Sequence, residues 1–197
     1  SAGPVLGGAA GAGAHALQRP DGKFLTVRGN NTTGTDIYDP VANTVTAGPA
    51  LSASSGAGAH ALQRSDGKFL IVLGNSTTST SIYDPVANTV TAGPALSASA
   101  GAGAHALQRP DGKFLIVRGN NTTGTSIYDP VANTMSAGPV LGGAAGAGAH
   151  SFQRPDGKFL IISGNNTTST FIYDPVANTV SAGPVLGGAA GAGAHAL

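Results

Sequence analysis

"GAGAHALQRPDGKF", residues 101–114, is the stretch on which the fold turns, because near-copies of it begin at Gly11, Gly56 and Gly146. His15, His60, His105, His150 and His195 therefore recur every 45 residues. Tyr38, Tyr83, Tyr128 and Tyr173 keep the same register, as do Asp21, Asp66, Asp111 and Asp156. Residues 1–197 read as a single repeat domain with units 11–55, 56–100, 101–145 and 146–190, and 191–197 starts a further unit. Residues 1–17 return letter for letter as 181–197. A period of this length is the signature of solenoids, propellers and arrays.

Within a unit the pattern reads as four short strands. "GAHALQ" alternates, with Gly13, His15 and Leu17 on one side and Ala12, Ala14 and Ala16 on the other. "RPDGK" is a turn, since Pro presets φ and Gly accepts the left-handed region. "KFLIV" is a continuous apolar run, as in a strand covered on both faces. "GNNTTGT" is a polar connection, "TSIYD" a third strand, "DPVANT" a second Pro-led turn and "TVTAG" a fourth strand. A Gly/Pro/Ser/Ala connection leads to the next unit. No segment has helical periodicity with caps, so the chain is expected to be all-β, built of tandem four-stranded antiparallel blades.

"HALQRPDGKFLIVxGN" followed by "IYDPxANTV" resembles the kelch and galactose-oxidase-like blade. That family has a His-led first strand, a D-G-K turn, an apolar second strand ending in Gly-Gly, then Y-D-P and N-T-W. The resemblance runs through every unit and implies a kelch-like β-propeller, with four blades in this chain plus a partial unit. Asn30, Asn75, Asn120 and Asn165 replace the second Gly of the pair, and Val45, Val90, Met135 and Val180 stand in place of the Trp. The related oxidase is a copper enzyme whose site needs a Cys-modified Tyr. The sequence contains no Cys, so that chemistry does not carry over, and no cofactor is expected.

Composition narrows the function. Charged residues are 10% of the chain and its net charge is +1, which provides no steering field for nucleic acid. No run approaches the 18 apolar residues of a membrane span. Ser1 opens the sequence without a basic, apolar leader, so any signal peptide is expected to be already removed or never present. A nearly neutral Ser/Thr/Asn/Gly/Ala surface suits an assembling protein, extracellular or at the cell surface. The extra "GAGAHAL" at the end leaves three arrangements open. The chain is an excerpt of a longer array, or two chains share one larger ring, or units stack head to tail into a filament.

Catalytic chemistry is hard to find. The sequence has no GxSxG elbow, and "GGAAGAGAH" lacks the Lys-Ser/Thr ending of a phosphate loop. One His per unit lacks a second ligand nearby and reads as a structural marker, bonding a neighbouring loop where blades meet. The two Asp series suit turn capping better than a calcium rim, and near-identical units provide none of the asymmetry that paired catalytic carboxylates need. The connection between the second and third strands is the candidate binding element: Asn30, Asn31 and Thr32; Asn75 and Thr77; Asn120, Asn121 and Thr122; Asn165, Asn166 and Thr167. Each copy holds the N-x-Ser/Thr acceptor pattern, and its amides and hydroxyls are also suited to gripping sugar hydroxyls repeatedly. The expected function is a non-enzymatic, self-assembling structural scaffold whose partner is another copy of itself. The alternative is a multivalent, lectin-like module for glycans.

Overall fold

The computed structural model describes residues 3–193; residues 194–197 of the partial fifth unit, His195 among them, lie outside these. Four antiparallel sheets follow one another, each a four-stranded meander in sequence order. The first holds β1 (His15–Gln18), β2 (Phe24–Val27), β3 (Thr35–Asp39) and β4 (Thr44–Ala47). The second holds β5 (His60–Gln63), β6 (Phe69–Val72), β7 (Thr80–Asp84) and β8 (Thr89–Ala92). The third is β9 (His105–Gln108), β10 (Phe114–Val117), β11 (Thr125–Asp129) and β12 (Thr134–Ala137). The fourth is β13 (His150–Gln153), β14 (Phe159–Ile162), β15 (Thr170–Asp174) and β16 (Thr179–Ala182). The all-β, four-strand reading of each 45-residue unit is what the chain forms.

The first strand is shorter than its alternation suggests. Only His15–Gln18 pairs with β2, whereas Gly11–Ala14 closes a tight turn through Ala14 N–H donating to Gly11 O at 2.9 Å. The turns are built from residues that tolerate left-handed φ: Gly22 at 80° after Pro20-Asp21, and Asn43 at 52° before β4. Asp39 Oδ1 caps the second turn by accepting from Val41 and Ala42 N–H at 2.9 and 3.0 Å.

The second strand is apolar on both faces because the two inner sheets are packed on both sides. From the first sheet, Leu17, Leu25, Val27 and Leu51 pack against Phe69, Ile71, Leu73 and Tyr83 of the second. The same seam joins the second sheet to the third, through Leu62, Leu70, Val72 and Leu96 against Phe114, Ile116 and Tyr128. It recurs between the third and fourth. Odd and even positions of one strand thus serve two different seams: Phe69 and Ile71 face the preceding unit, Leu70 and Val72 the following one. We call these the front and back faces. Removing a Leu or Ile of this size from water is worth roughly 1.5–3 kcal/mol, so the seams hold most of the apolar burial.

First strands lie side by side along the array, β1 by β5, β5 by β9 and β9 by β13; among the described residues β1 and β13 make no contact. Gly and Ala are needed where these strands crowd together. Gly58 has φ of 82° and its Cα sits against the carbonyl of Gly101, leaving no space for a Cβ. After each fourth strand the connection turns back. Thr35 Oγ1, on a buried side chain, donates to Pro49 O at 2.7 Å, Thr32 bridges to Ser55, and Gly56 N–H then donates to Leu73 O of the next unit at 3.0 Å.

Two glycine substitutions separate the cost of backbone conformation from the cost of crowding. Gly67 has φ of 80° but nothing near its missing Cβ. Gly67→Ala should cost about 1 kcal/mol, the left-handed penalty alone. Gly58→Ala should cost upwards of about 3 kcal/mol, because backbone must also move. Equal losses in urea denaturation would refute the close approach.

Candidate functional site

The most elaborate polar arrangement lies on the seams. Arg19 leaves the end of β1 and crosses to the second unit, where Nη1 donates to Tyr83 Oη at 2.5 Å and to Asn88 Oδ1 at 2.8 Å. Its guanidinium stands 6.0 Å from the Tyr83 ring centre, within cation–π range. Asp21 holds it from behind through Nε and Nη2 at 3.2 and 3.1 Å. Arg64 repeats this on Tyr128 and Asn133 at 2.6 and 3.1 Å, and adds Pro130 O at 3.0 Å. Arg109 repeats it on Tyr173 and Asn178 at 2.5 and 2.8 Å. Every tyrosine also meets a phenylalanine across its own sheet, the Phe69–Tyr83 centroids being 6.4 Å apart with ring planes at 30°. Burial raises the Tyr83 phenol pKa, the Arg19 charge opposing that, so the hydroxyl stays neutral and keeps its lone pairs for the guanidinium.

A column of imidazoles runs along the first strands. His15, His60, His105 and His150 each bond through Nδ1 to the carbonyl two residues earlier, at 2.9, 3.0, 2.9 and 3.2 Å. The partner is thus the residue's own glycine turn, not a neighbouring loop as expected. A carbonyl only accepts, so Nδ1 carries the proton and Nε2 is a bare acceptor. All four Nε2 atoms are buried without a partner. Burial, and then the charge of the neighbouring imidazoles, push His60 and His105 down to about 4 despite the opposing Gly carbonyl; His15 is lowered by burial too. Among the described residues no three His, Cys, Asp or Glu side chains gather as a metal site.

The Asn/Thr turns form a row beside that column. Asn30 and Asn31 both have left-handed φ, 54° and 57°, as do Asn75, Asn120, Asn121, Asn165 and Asn166. These asparagines therefore serve the turn itself, which L-residues other than Asn adopt at a cost. Thr32, Thr77, Thr122 and Thr167 spend their hydroxyls on Gly29, Gly74, Gly119 and Gly164 carbonyls at 2.9–3.0 Å. Successive turns touch, Ser76 Oγ lying 3.3 Å from Asn120 Oδ1. Asn30, Asn31, Asn121, Asn165 and Asn166 are exposed, whereas Asn75 and Asn120 are half-buried.

Carboxylates are consumed locally. Asp39, Asp84, Asp129 and Asp174 each take an ion pair from the lysine of the first turn, Lys23 Nζ to Asp39 Oδ2 being 3.0 Å. Backbone amides, first that of Ala42, hold the Asp39 carboxyl below its ordinary range, with the Lys23 hydrogen bond next. Asp36 is buried and pairs with Arg28 at 2.6 and 2.7 Å. Ser81, Ser126 and Phe171 replace it in the later units; Leu73 and Ser163 replace Arg28, while Arg118 keeps the arginine.

The sequence reading missed the Arg–Tyr–Asn latch, because its members lie 64 and 69 residues apart. One signal was available: Arg19, Tyr38 and Asn43 recur in every unit while Arg28 drifts.

No family model matches this sequence, and no curated protein does. Among solved structures, hydrazine synthase from Kuenenia stuttgartiensis superposes with a TM-score of 0.68 at 16% identity, over 88% of this chain and 49% of that one. At that identity the likeness concerns the fold. The chain spans about half the length of that protein.

Two outcomes check this geometry. Arg64→Ala removes the cation from a seam in which Tyr128 and Asn133 keep only their bond to each other, and should cost about 2 kcal/mol; Arg154→Ala, whose guanidinium pairs with Asp156 at 3.1 Å, should cost less than about 0.5 kcal/mol. For His60 and His105, folded pKa values of about 4 lie below the ordinary value of 6.5, so their contribution to stability is full above 6.5. It falls as pH drops from 6.5 towards 4, because only the unfolded chain takes up those protons. The pH dependence of urea midpoints should show this slope, and His60→Gln/His105→Gln should flatten it.

Proposed function

We propose that this chain is a non-enzymatic structural scaffold of kelch-like blades that assembles with copies of itself, as a composite propeller or a filament, outside the cell or on its surface. The observation that carries this reading is the seam. One set of contacts, Arg–Tyr–Asn with leucines against Phe, Ile and Tyr, is used three times in succession without change of partner type. A contact that joins like to like by translation along an array extends to further copies by the same geometry. The Thr hydroxyls, turn carboxylates and first-turn lysines of the units are engaged in turns and ion pairs.

Light scattering across a concentration series tests it. Mass should rise with concentration, either to a discrete composite or without limit. A constant 19.1 kDa particle would defeat the scaffold reading.

A second reading rests on the row of Asn turns, with exposed amides at Asn31, Asn121 and Asn166 in the first, third and fourth units and Ser76 at that position in the second. It makes the chain a multivalent glycan binder. A glycan array without any bound sugar would count against it, while binding lost in Asn121→Ala would support it.

A further inference from the structure

We infer that the two outer faces of the array are the complementary halves of one more seam, and that a second copy of this chain fills it with Arg154 latched onto Tyr38 and Asn43. This rests on the scaffold reading and specifies which surfaces meet.

The back face of the fourth sheet is a seam surface without its cover. Phe152 occupies the position of Leu17, Leu62 and Leu107, which are 6% exposed, yet is itself 41% exposed. Arg154 occupies the position of Arg19, Arg64 and Arg109, whose side chains are 10–11% exposed, yet stands 35% exposed. Its Asp156 pair is already formed, as Asp21 is for Arg19. What it lacks is the tyrosine and asparagine.

The front face of the first sheet has those two groups. Tyr38 Oη lies 3.3 Å from Asn43 Oδ1, as Tyr83 does from Asn88 at 3.1 Å. Tyr83, Tyr128 and Tyr173 are fully buried beneath their arginines, whereas Tyr38 is half-buried. Beside it an open hollow of about 400 Å³ is lined by Leu6, Thr26, Tyr38 and Val45 together with Gly3 and Pro4. At the equivalent place in the next unit, Ile71 and Tyr83 are covered by Leu17, Leu25 and Val27. The hollow thus has the location and apolar walls that back-face side chains require. Leu6 stands in the Pro-x-Leu position that Leu51 takes within a completed seam. The identical letters of 1–17 and 181–197 let either copy supply this connecting segment at the joint.

The occupant is a second copy because the established seam is continuous with both faces, and they keep its latch groups and its Phe24 and Tyr38, with Thr26 in place of the seam isoleucine on the front and Phe152 in place of the seam leucine on the back. A partner of other chemistry would need a charge or shape that these faces do not share with the three existing seams.

The test uses the full chain and two end variants. Tyr38→Ala/Val45→Asp blocks the front face, and Phe152→Asp/Arg154→Ala blocks the back face. Each alone should hold the single-chain mass by sedimentation velocity at concentrations where the wild type assembles. An equimolar mixture should give a discrete two-chain particle, since one intact front meets one intact back. Arg154→Ala by itself, at an exposed position, should weaken association about tenfold while leaving the circular dichroism unchanged. End variants that fold and assemble like the wild type would overturn the assignment of these faces and leave the scaffold reading standing. A wild type that stays a single chain throughout, including one that closes its own ends, would overturn both.

Discussion

A four-stranded sheet with apolar side chains on both faces cannot stand alone in water, and everything else in this chain follows from that constraint. Four short strands bury little by themselves. Leu70 and Val72 leave the solvent only when the next sheet arrives, and Phe69 and Ile71 only when the preceding one is in place. Stability in such an array is a sum of weak units and strong nearest-neighbour contacts. The polar latch adds direction to the apolar contact. Arg64 reaches a neutral phenol and an amide in a partly dry seam, where its hydrogen bonds fix both the spacing of two sheets and their register.

The glycine-rich turn and the histidine column are consequences of the same packing. Sheets that meet so closely at their first strands leave no room for Cβ atoms at Gly13, Gly58 or Gly103. The imidazole that follows each turn ties the turn down through Nδ1. It does so at the expense of a buried, unpaired Nε2. Three or more such rings in a row tolerate one another only while neutral.

Much of this architecture was legible in the residues. The 45-residue period, the four strands, the turns at Asp21-Gly22 and Asn43 and the doubly covered "FLIV" strand all follow from local pattern, because each depends on neighbours a few positions apart. The reading erred where local pattern and packing compete: alternation extended the first strand into Ala12–Ala14, although that segment belongs to a turn closed by Ala14 N–H on Gly11 O. For Asn30 and Asn31 the left-handed φ adds a backbone reason for asparagine that the sequence pattern does not display. The latch escaped notice because Arg19 and Tyr83 meet only once whole units are docked. The tandem four-stranded units that the family resemblance implies are present, and among the described residues β1 and β13 do not touch.

The claim at the centre is that cohesion resides between sheets rather than within them. Amide hydrogen exchange, followed unit by unit in dilute solution, measures this most directly. The second and third sheets, covered on both faces, should exchange slowest, with the first and fourth opening at lower free energy. As concentration rises and outer faces are covered, the end sheets should gain protection towards that of the inner pair. Equal protection in all four units at every concentration would mean that each sheet is stable by itself, and would contradict the account.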